Sequence, residues 1–341
     1  MAAAFSLATR VTLNNGLTMP QIQLGVYLMS GSEASRAVKY ALDAGYRAID
    51  SAQMYHNERD VGHAILDYLK AHPELKREDI HYTTKLASNG TYDRARASIK
   101  KSVKECGLGY IDLFLLHSPY GGKQARLESW RAVEDAIQDG EVRMGGVSNF
   151  GEKHITELLT HPTLRLKPAV NQIELHPFNP HPSLTALCAS HSIRLEAYAP
   201  LARALRMKHP TILSLSKKYG CTPAQLLVRW SCQMGFVPLP KSVRRERIEE
   251  NAMVGGFEID EGDMRELEGL DEGLVTGMSS LLFFLLFFLF LFFKFLFLNF
   301  FSWSSLIFHL ILLVLGMAVV VVVVLVMKEG SESGGCWSPI C

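Results

Sequence analysis

The chain has 341 residues, a formal net charge of +1 and 48% hydrophobic residues. That length admits two average domains or one α/β barrel of about 250 residues with an extension, and the near-neutral balance gives no reason to expect nucleic acid or another strongly charged partner. The six cysteines show no CxxC pairing and no histidine companions at metal-ligand spacing, so free thiols in a reducing compartment are expected, with no disulfide framework and no metal. The N-terminus MAAAFSLATR lacks an apolar core flanked by early basic residues, so cytoplasmic synthesis without a secretory signal is expected. Charge is uneven: residues 279–341 hold only Lys294, Lys328, Glu329 and Glu332. The chain therefore divides into a polar part, 11–274, and a hydrophobic tail, 279–341.

Along the polar part, Asn15-Gly16 sits between apolar–polar alternations, a hairpin signal. Strand Ile22–Tyr27 follows; Ser32 then offers an N-cap to a helix whose apolar residues Ala34, Ala37, Val38, Ala41 and Leu42 recur at helical spacing. Further strands are expected at Arg47–Ser51, Ile80–Leu86, Ile111–His117, Val142–Ser148, Ala169–Leu175, Ile193–Ala199 and Phe236–Pro240. Between and after them, helical patterns cover Asn57–Lys70, Asp93–Cys106, Leu127–Gln138, Gly151–Leu159, Pro182–Ser190, one long region Thr211–Met234, and Arg244–Met253. Short, apolar, β-branched strands suit a parallel sheet covered on both faces. Eight β–α units in roughly 230 residues, with no GxGxxG after the first strand, favour a closed (β/α)8 TIM barrel over a doubly wound sheet.

In a barrel the C-terminal strand ends converge on one mouth. The stretch GYRAIDSAQMYHNERDVG, 45–62, ends a strand at Asp50 and carries the phenol of Tyr55 in the loop beyond, before a helix that Asn57 and Glu58 suit at its N-terminus. Alone it reads equally as an ordinary βα loop with a capping aspartate. Strand three, however, ends near Lys85 and strand four at His117, so acid, phenol, amine and imidazole point into one cavity. A phenol titrates near 10, and a nearby ammonium is expected to lower that value. Asp50 would pair with Lys85, and His117 would hydrogen-bond a substrate oxygen or the phenol. Such a device protonates an alkoxide that forms as hydride reaches a carbonyl carbon, and hydride requires a cofactor.

With these residues, the chain resembles the aldo-keto reductases, the fungal-type soluble NADPH-dependent reductases among them. GYRAIDSAQMYHNERDVG, TTKL, LLHSP, GGVSNF and PLPKSVRRERIEEN stand in the family's order and spacing, from about Leu13 to about Leu274. The resemblance implies a catalytic tetrad of Asp50, Tyr55, Lys85 and His117, with Tyr55 as general acid. It implies that Ser148, Asn149 and Gln172 hold the nicotinamide carboxamide and that Tyr198 stacks on the ring. Gly25 and Val26 would line the same site, Val26 departing from the small hydroxyl residue usual there, and Leu201 would lie near the pyrophosphate. Lys241, Ser242, Val243, Arg247, Glu250 and Asn251 fall on the adenosine 2′-phosphate and adenine positions, although RRERIEEN by itself also reads as a solvated charged helix. NADPH is therefore expected over NADH, with no metal. Tyr27 and Tyr120 are candidate pocket walls beside His117, while Trp130, spaced with Leu127 and Val133, reads as helix core. A small carbonyl compound is the implied substrate and a monomer the family's common habit. The rival implied by the superfamily is a non-catalytic, nucleotide-sensing subunit of a membrane complex; a complete tetrad favours catalysis.

The tail departs from the family after Gly277. Residues 281–301 and 306–327 are apolar runs of about 20 residues, each enough for one membrane-spanning helix. Ser302–Ser305, with Trp303, would then be the turn of a two-helix hairpin. Two readings stand: an anchor that holds the barrel at a membrane, or an unspliced intron read as protein, since a pyrimidine-rich stretch translates to Leu and Phe.

Overall fold

The computed structural model describes residues 5–277. A hairpin opens it, strand β1 (Arg10–Thr12) pairing antiparallel with β2 (Thr18–Pro20) around Gly16, whose φ of 80° needs no Cβ. Eight further strands follow: β3 (Leu24–Gly25), β4 (Ala48–Asp50), β5 (His81–Leu86), β6 (Ile111–Leu116), β7 (Val142–Ser148), β8 (Val170–Glu174), β9 (Arg194–Tyr198) and β10 (Val237–Leu239). They form one parallel sheet in sequence order. Its two edges meet: the Gln23 and Gly25 amides donate to the Pro238 and Pro240 carbonyls, each at 3.2 Å. The sheet therefore closes into the expected barrel, and closure leaves no edge to protect.

Helices α1 (Gly31–Asp43), α2 (Glu58–Ala71), α3 (Tyr92–Cys106), α4 (Lys123–Gln138), α5 (Glu152–Leu159) and α6 (Pro182–Ser190) wrap the outside. They are followed by α7 (Pro210–Tyr219), α8 (Pro223–Gln233), α9 (Arg245–Ala252) and α10 (Glu261–Glu268). Trp130 is core, as expected, its indole N–H bonded to the Leu166 carbonyl. Adjacent helices approach closely. A Cβ on Gly62 would lie 1.8 Å from the Cys106 carbonyl oxygen, which is why α2 carries glycine where it meets the end of α3.

Side chains alternate across a strand, and that period sorts the sheet into two cores. Phe114 and Leu116 face the helices, whereas Leu113 and Leu115 join Met144, Val170, Val237 and the hairpin's Met19 in a second cluster inside the barrel. The hairpin thus plugs one end of the barrel. Continuing the same alternation, His117, the residue just past β6 and one pleat beyond Leu115, stands at the other end.

Several local expectations are corrected. Helix α1 starts at Gly31 with Ser30 as N-cap, not Ser32. The long region 211–234 is two helices, because Gly220 takes a left-handed C-cap and Thr222 begins a capping box with Gln225, with Pro223 at the first turn. Asn57 precedes α2 but does not cap it with its side chain, which is used elsewhere. No helix among the described residues is long and apolar enough to cross a membrane. The two apolar runs at 281–301 and 306–327 lie outside the described residues.

Candidate active site

The loop between β4 and α2 is held from below by two amides, Asn57 buried and Gln53 half-buried. Asn57 donates to the Val26 and Met29 carbonyls at 3.0 and 2.8 Å and accepts from the Ser51 hydroxyl at 2.6 Å. Gln53 accepts from the Ala87 amide and the Ser98 hydroxyl, and donates to the Ser98 carbonyl and the Ser102 hydroxyl. Between them a single 3-10 turn, Gln53–Tyr55, lifts Tyr55 over the mouth. Neither amide was singled out in the sequence as a support of this loop.

Four residues converge there. The Lys85 ammonium is fully buried, 2.6 Å from Asp50 Oδ1, 2.8 Å from the Ser51 carbonyl and 3.4 Å from the Tyr55 hydroxyl. The His117 ring stands edge-on to Tyr55, with centroids 5.8 Å apart. Burial works against the Lys85 ammonium, but Asp50, Tyr55 and Glu196 outweigh it and hold its pKa above the usual value. Burial raises the Tyr55 phenol more than Lys85 lowers it, so the expected net lowering is reversed: Tyr55 is the protonated acid at neutral pH. Burial, then Lys85, pushes His117 down to about 3, which keeps it neutral.

Below the mouth, Gln172 Nε2 donates to Asp50 Oδ2 at 2.8 Å and to Glu196 Oε2 at 2.7 Å, and Gln23 Nε2 donates to Glu196 Oε1 at 2.8 Å. Burial, with Asp50 close by, pushes the Glu196 carboxyl up to about 7. Glu196 is a further residue that sequence reasoning missed. Nothing in its spacing marks it, because only closure of the barrel decides which face of so short a strand as β9 is inward.

The family model for the aldo/keto reductase family matches residues 21–272. The chain belongs to this family. It is 48% identical to an uncharacterized oxidoreductase of Schizosaccharomyces pombe over 267 residues, covering 78% of this chain and 95% of that one. It is also 39% identical to the 9,11-endoperoxide prostaglandin H2 reductase of Trypanosoma cruzi over 267 residues, 77% of this chain and 91% of the relative. Among solved structures, an aldo-keto reductase from a deep-sea metagenome library superposes with a TM-score of 0.74 at 36% identity, covering 80% of this chain and 98% of that one. The aldose reductase of Schistosoma japonicum gives a TM-score of 0.72 at 34% identity, covering 77% and 93%. This chain is accordingly an oxidoreductase, and aldo/keto reductases generally act on small-molecule carbonyl compounds with NAD(P)H.

Around this aldo/keto reductase mouth, Ser148 and Gln172 are buried neighbours on β7 and β8, the Ser148 hydroxyl donating to the Gln172 carbonyl at 2.8 Å. Asn149 takes a left-handed φ of 60°, donates to the His117 carbonyl at 3.0 Å and accepts from the Tyr198 hydroxyl at 2.9 Å. Tyr27 leans on Tyr55, centroids 5.1 Å apart, and Tyr120 is 58% exposed. Gly25 sits at the seam of the barrel, but the Val26 side chain is buried in the core, so only its backbone stands near the site. Leu201 is half-buried in the loop after β9.

Past β10, Ser242 is buried and Lys241, Val243 and Arg247 are exposed; Glu250 is half-buried and Asn251 buried on α9. Neither Lys241 nor Arg247 forms an ion pair with a described residue, whereas Arg245 is paired with Glu249 at 2.8 Å. Two unpaired cations and a serine at a helix start suit a phosphate dianion. The amide and hydroxyl groups of Ser148, Asn149 and Gln172 suit a carboxamide. The donor set therefore fits a phosphorylated nicotinamide dinucleotide. Among the described residues, no group of three or more His, Cys, Asp or Glu could hold a metal.

Proposed function

We propose that this chain is an NADPH-dependent carbonyl reductase that converts an aldehyde or ketone, open-chain sugars among the candidates, to the alcohol. The observation that carries the reading is the buried Asp50–Lys85 pair at 2.6 Å, with the Lys85 ammonium 3.4 Å from the Tyr55 hydroxyl. A nicotinamide dinucleotide, when bound, would supply the hydride. As hydride reaches the carbonyl carbon, the C=O π pair moves to oxygen, and Tyr55 gives that oxygen its proton. Lys85 stabilises the phenolate left behind, and Asp50 fixes the ammonium in place. Neutral His117 orients the carbonyl oxygen by a hydrogen bond.

Ser148, Asn149 and Gln172 hold the carboxamide, Tyr198 supports the ring, and Gly25 with the Val26 backbone borders it. Leu201 lies beside the pyrophosphate. Lys241, Ser242, Val243 and Arg247 receive the 2′-phosphate, while Glu250 and Asn251 meet the adenine. Tyr27, His117 and Tyr120 wall the substrate.

The test is NADPH oxidation by the full chain with a panel of aldehydes and sugars. Turnover with at least one carbonyl supports the proposal. Tight NADPH binding without turnover on any of them would favour the nucleotide-sensing reading.

A further inference from the structure

Inside the barrel, an unbroken hydrogen-bonded chain crosses from β4 to the entry of β3 by way of β8 and β9. Gln172 Nε2 lies 2.8 Å from Asp50 Oδ2 and 2.7 Å from Glu196 Oε2, and Gln23 Nε2 closes the chain at 2.8 Å from Glu196 Oε1. Gln172 and Glu196 are register partners on neighbouring strands, so both point into the interior at one level. Glu196 itself is fully buried.

Carboxylate oxygens accept and do not donate. An amide set between two of them must turn its NH2 end toward both, which commits both N–H groups of Gln172. What remains of Gln172 is its amide oxygen, which takes no donor from the described residues. An amide held by only one acceptor would be free to offer either end.

The chain is not there for stability alone. TIM-barrel interiors are ordinarily filled by branched apolar side chains, and a buried ionic group commonly contributes no more than an apolar residue of the same shape. The Gln23 amide oxygen is also buried without a partner among the described residues, a cost that an apolar residue would not carry.

We propose that Glu196 is a positioning residue: together with Asp50 it holds both amide N–H groups of Gln172, so that Gln172 presents only an acceptor, selecting a ligand that donates an N–H, such as a primary carboxamide. The ligand identity rests on the dinucleotide reading above; the hold on Gln172 does not. Burial and Asp50 favour the neutral form of Glu196, and this does not undo the arrangement. A proton on Oε1 would be accepted by the oxygen of a turned Gln23 amide, and Oε2 would still accept from Gln172. Glu196→Gln copies that neutral state, whereas Glu196→Leu removes the acceptor.

The test measures binding of NADP⁺ and of its 3-acetylpyridine analogue, in which a methyl replaces the carboxamide NH2, by fluorescence quenching of the full chain. The wild type should prefer NADP⁺ by about tenfold, the scale of one hydrogen bond. Glu196→Leu should bring that preference close to parity, and Glu196→Gln should keep most of it. An undiminished preference in a folded Glu196→Leu protein would overturn the proposal. A second measurement needs neither cofactor nor the leucine variant. At pH 8 the Gln172 side-chain amide protons, followed by ¹⁵N NMR, should move upfield in Glu196→Gln as a charged acceptor becomes neutral. Unmoved resonances would overturn the hold on Gln172. If the wild type bound neither dinucleotide while those resonances moved, the dinucleotide reading would fall and the positioning role would stand.

Discussion

The two ends of the barrel interior are built from the same strands and obey opposite rules. At the hairpin end, Leu113, Met144, Val170 and Val237 pack with Met19 into a cluster that carries no charge. One or two pleats further along, those walls carry Asp50, Lys85, Gln172 and Glu196, all buried. The apolar end contributes packing; the polar end places charge where water is excluded, which strengthens each electrostatic interaction. The polar end is the expensive one to assemble, and its network has to be complete, because an unpaired buried charge costs far more than a paired one.

That contrast can be broken most strongly at Lys85. Lys85→Met leaves Asp50 buried without its cation, so urea unfolding should show a loss of about 3–5 kcal/mol, with turnover abolished. At the apolar end, Leu113→Ala should cost about 2–5 kcal/mol by the same assay, while kcat of the folded protein stays at the wild-type value. A loss of kcat there would mean that the two ends are not separable.

Glu196 sharpens the comparison through pH. Its carboxyl is raised from 4.5 to about 7 in the folded protein, so folding holds its proton more tightly than the unfolded chain does. That contribution is fully present below about pH 4.5 and is lost as pH rises through 7, a span of about 3 kcal/mol. Thermal melts of Glu196→Gln against wild type should therefore show the variant gaining relative stability from pH 5 to pH 8. A constant difference across that range would contradict the buried acid.

Outside the barrel, Arg247→Ala should weaken NADP⁺ binding about tenfold and leave NAD⁺ binding unchanged, as titrations with each would show. The smallest effect is an absence of change. With His117 pushed down to about 3, kcat/KM should pass through pH 6.5 without an inflection from that imidazole.

How much of this could be read from the residues follows the same division. The strand ends were legible because Asp50, Tyr55, Lys85 and His117 stand at fixed places relative to apolar strands, and barrel geometry brings such ends together. The hairpin was legible from Asn15-Gly16. Glu196 and Gln23 were not, because a polar residue in a short strand has no distinguishing spacing until closure decides which face is inward. The sign of the Tyr55 shift was missed for a related reason: the ammonium is visible in the sequence, whereas the burial that outweighs it is a property of the assembled mouth. The break between α7 and α8 was present as Gly220-Cys221-Thr222-Pro223, but the apolar periodicity on both sides reads through it.

The central claim is that Tyr55 is the proton donor in a carbonyl reduction. The measurement that tests it most directly is NADPH oxidation by the full chain and by Tyr55→Phe with the same aldehyde, alongside NADPH binding to each. The account predicts a loss of kcat of roughly 10²–10⁴-fold with the NADPH Kd unchanged. Equal turnover in the two proteins would contradict it.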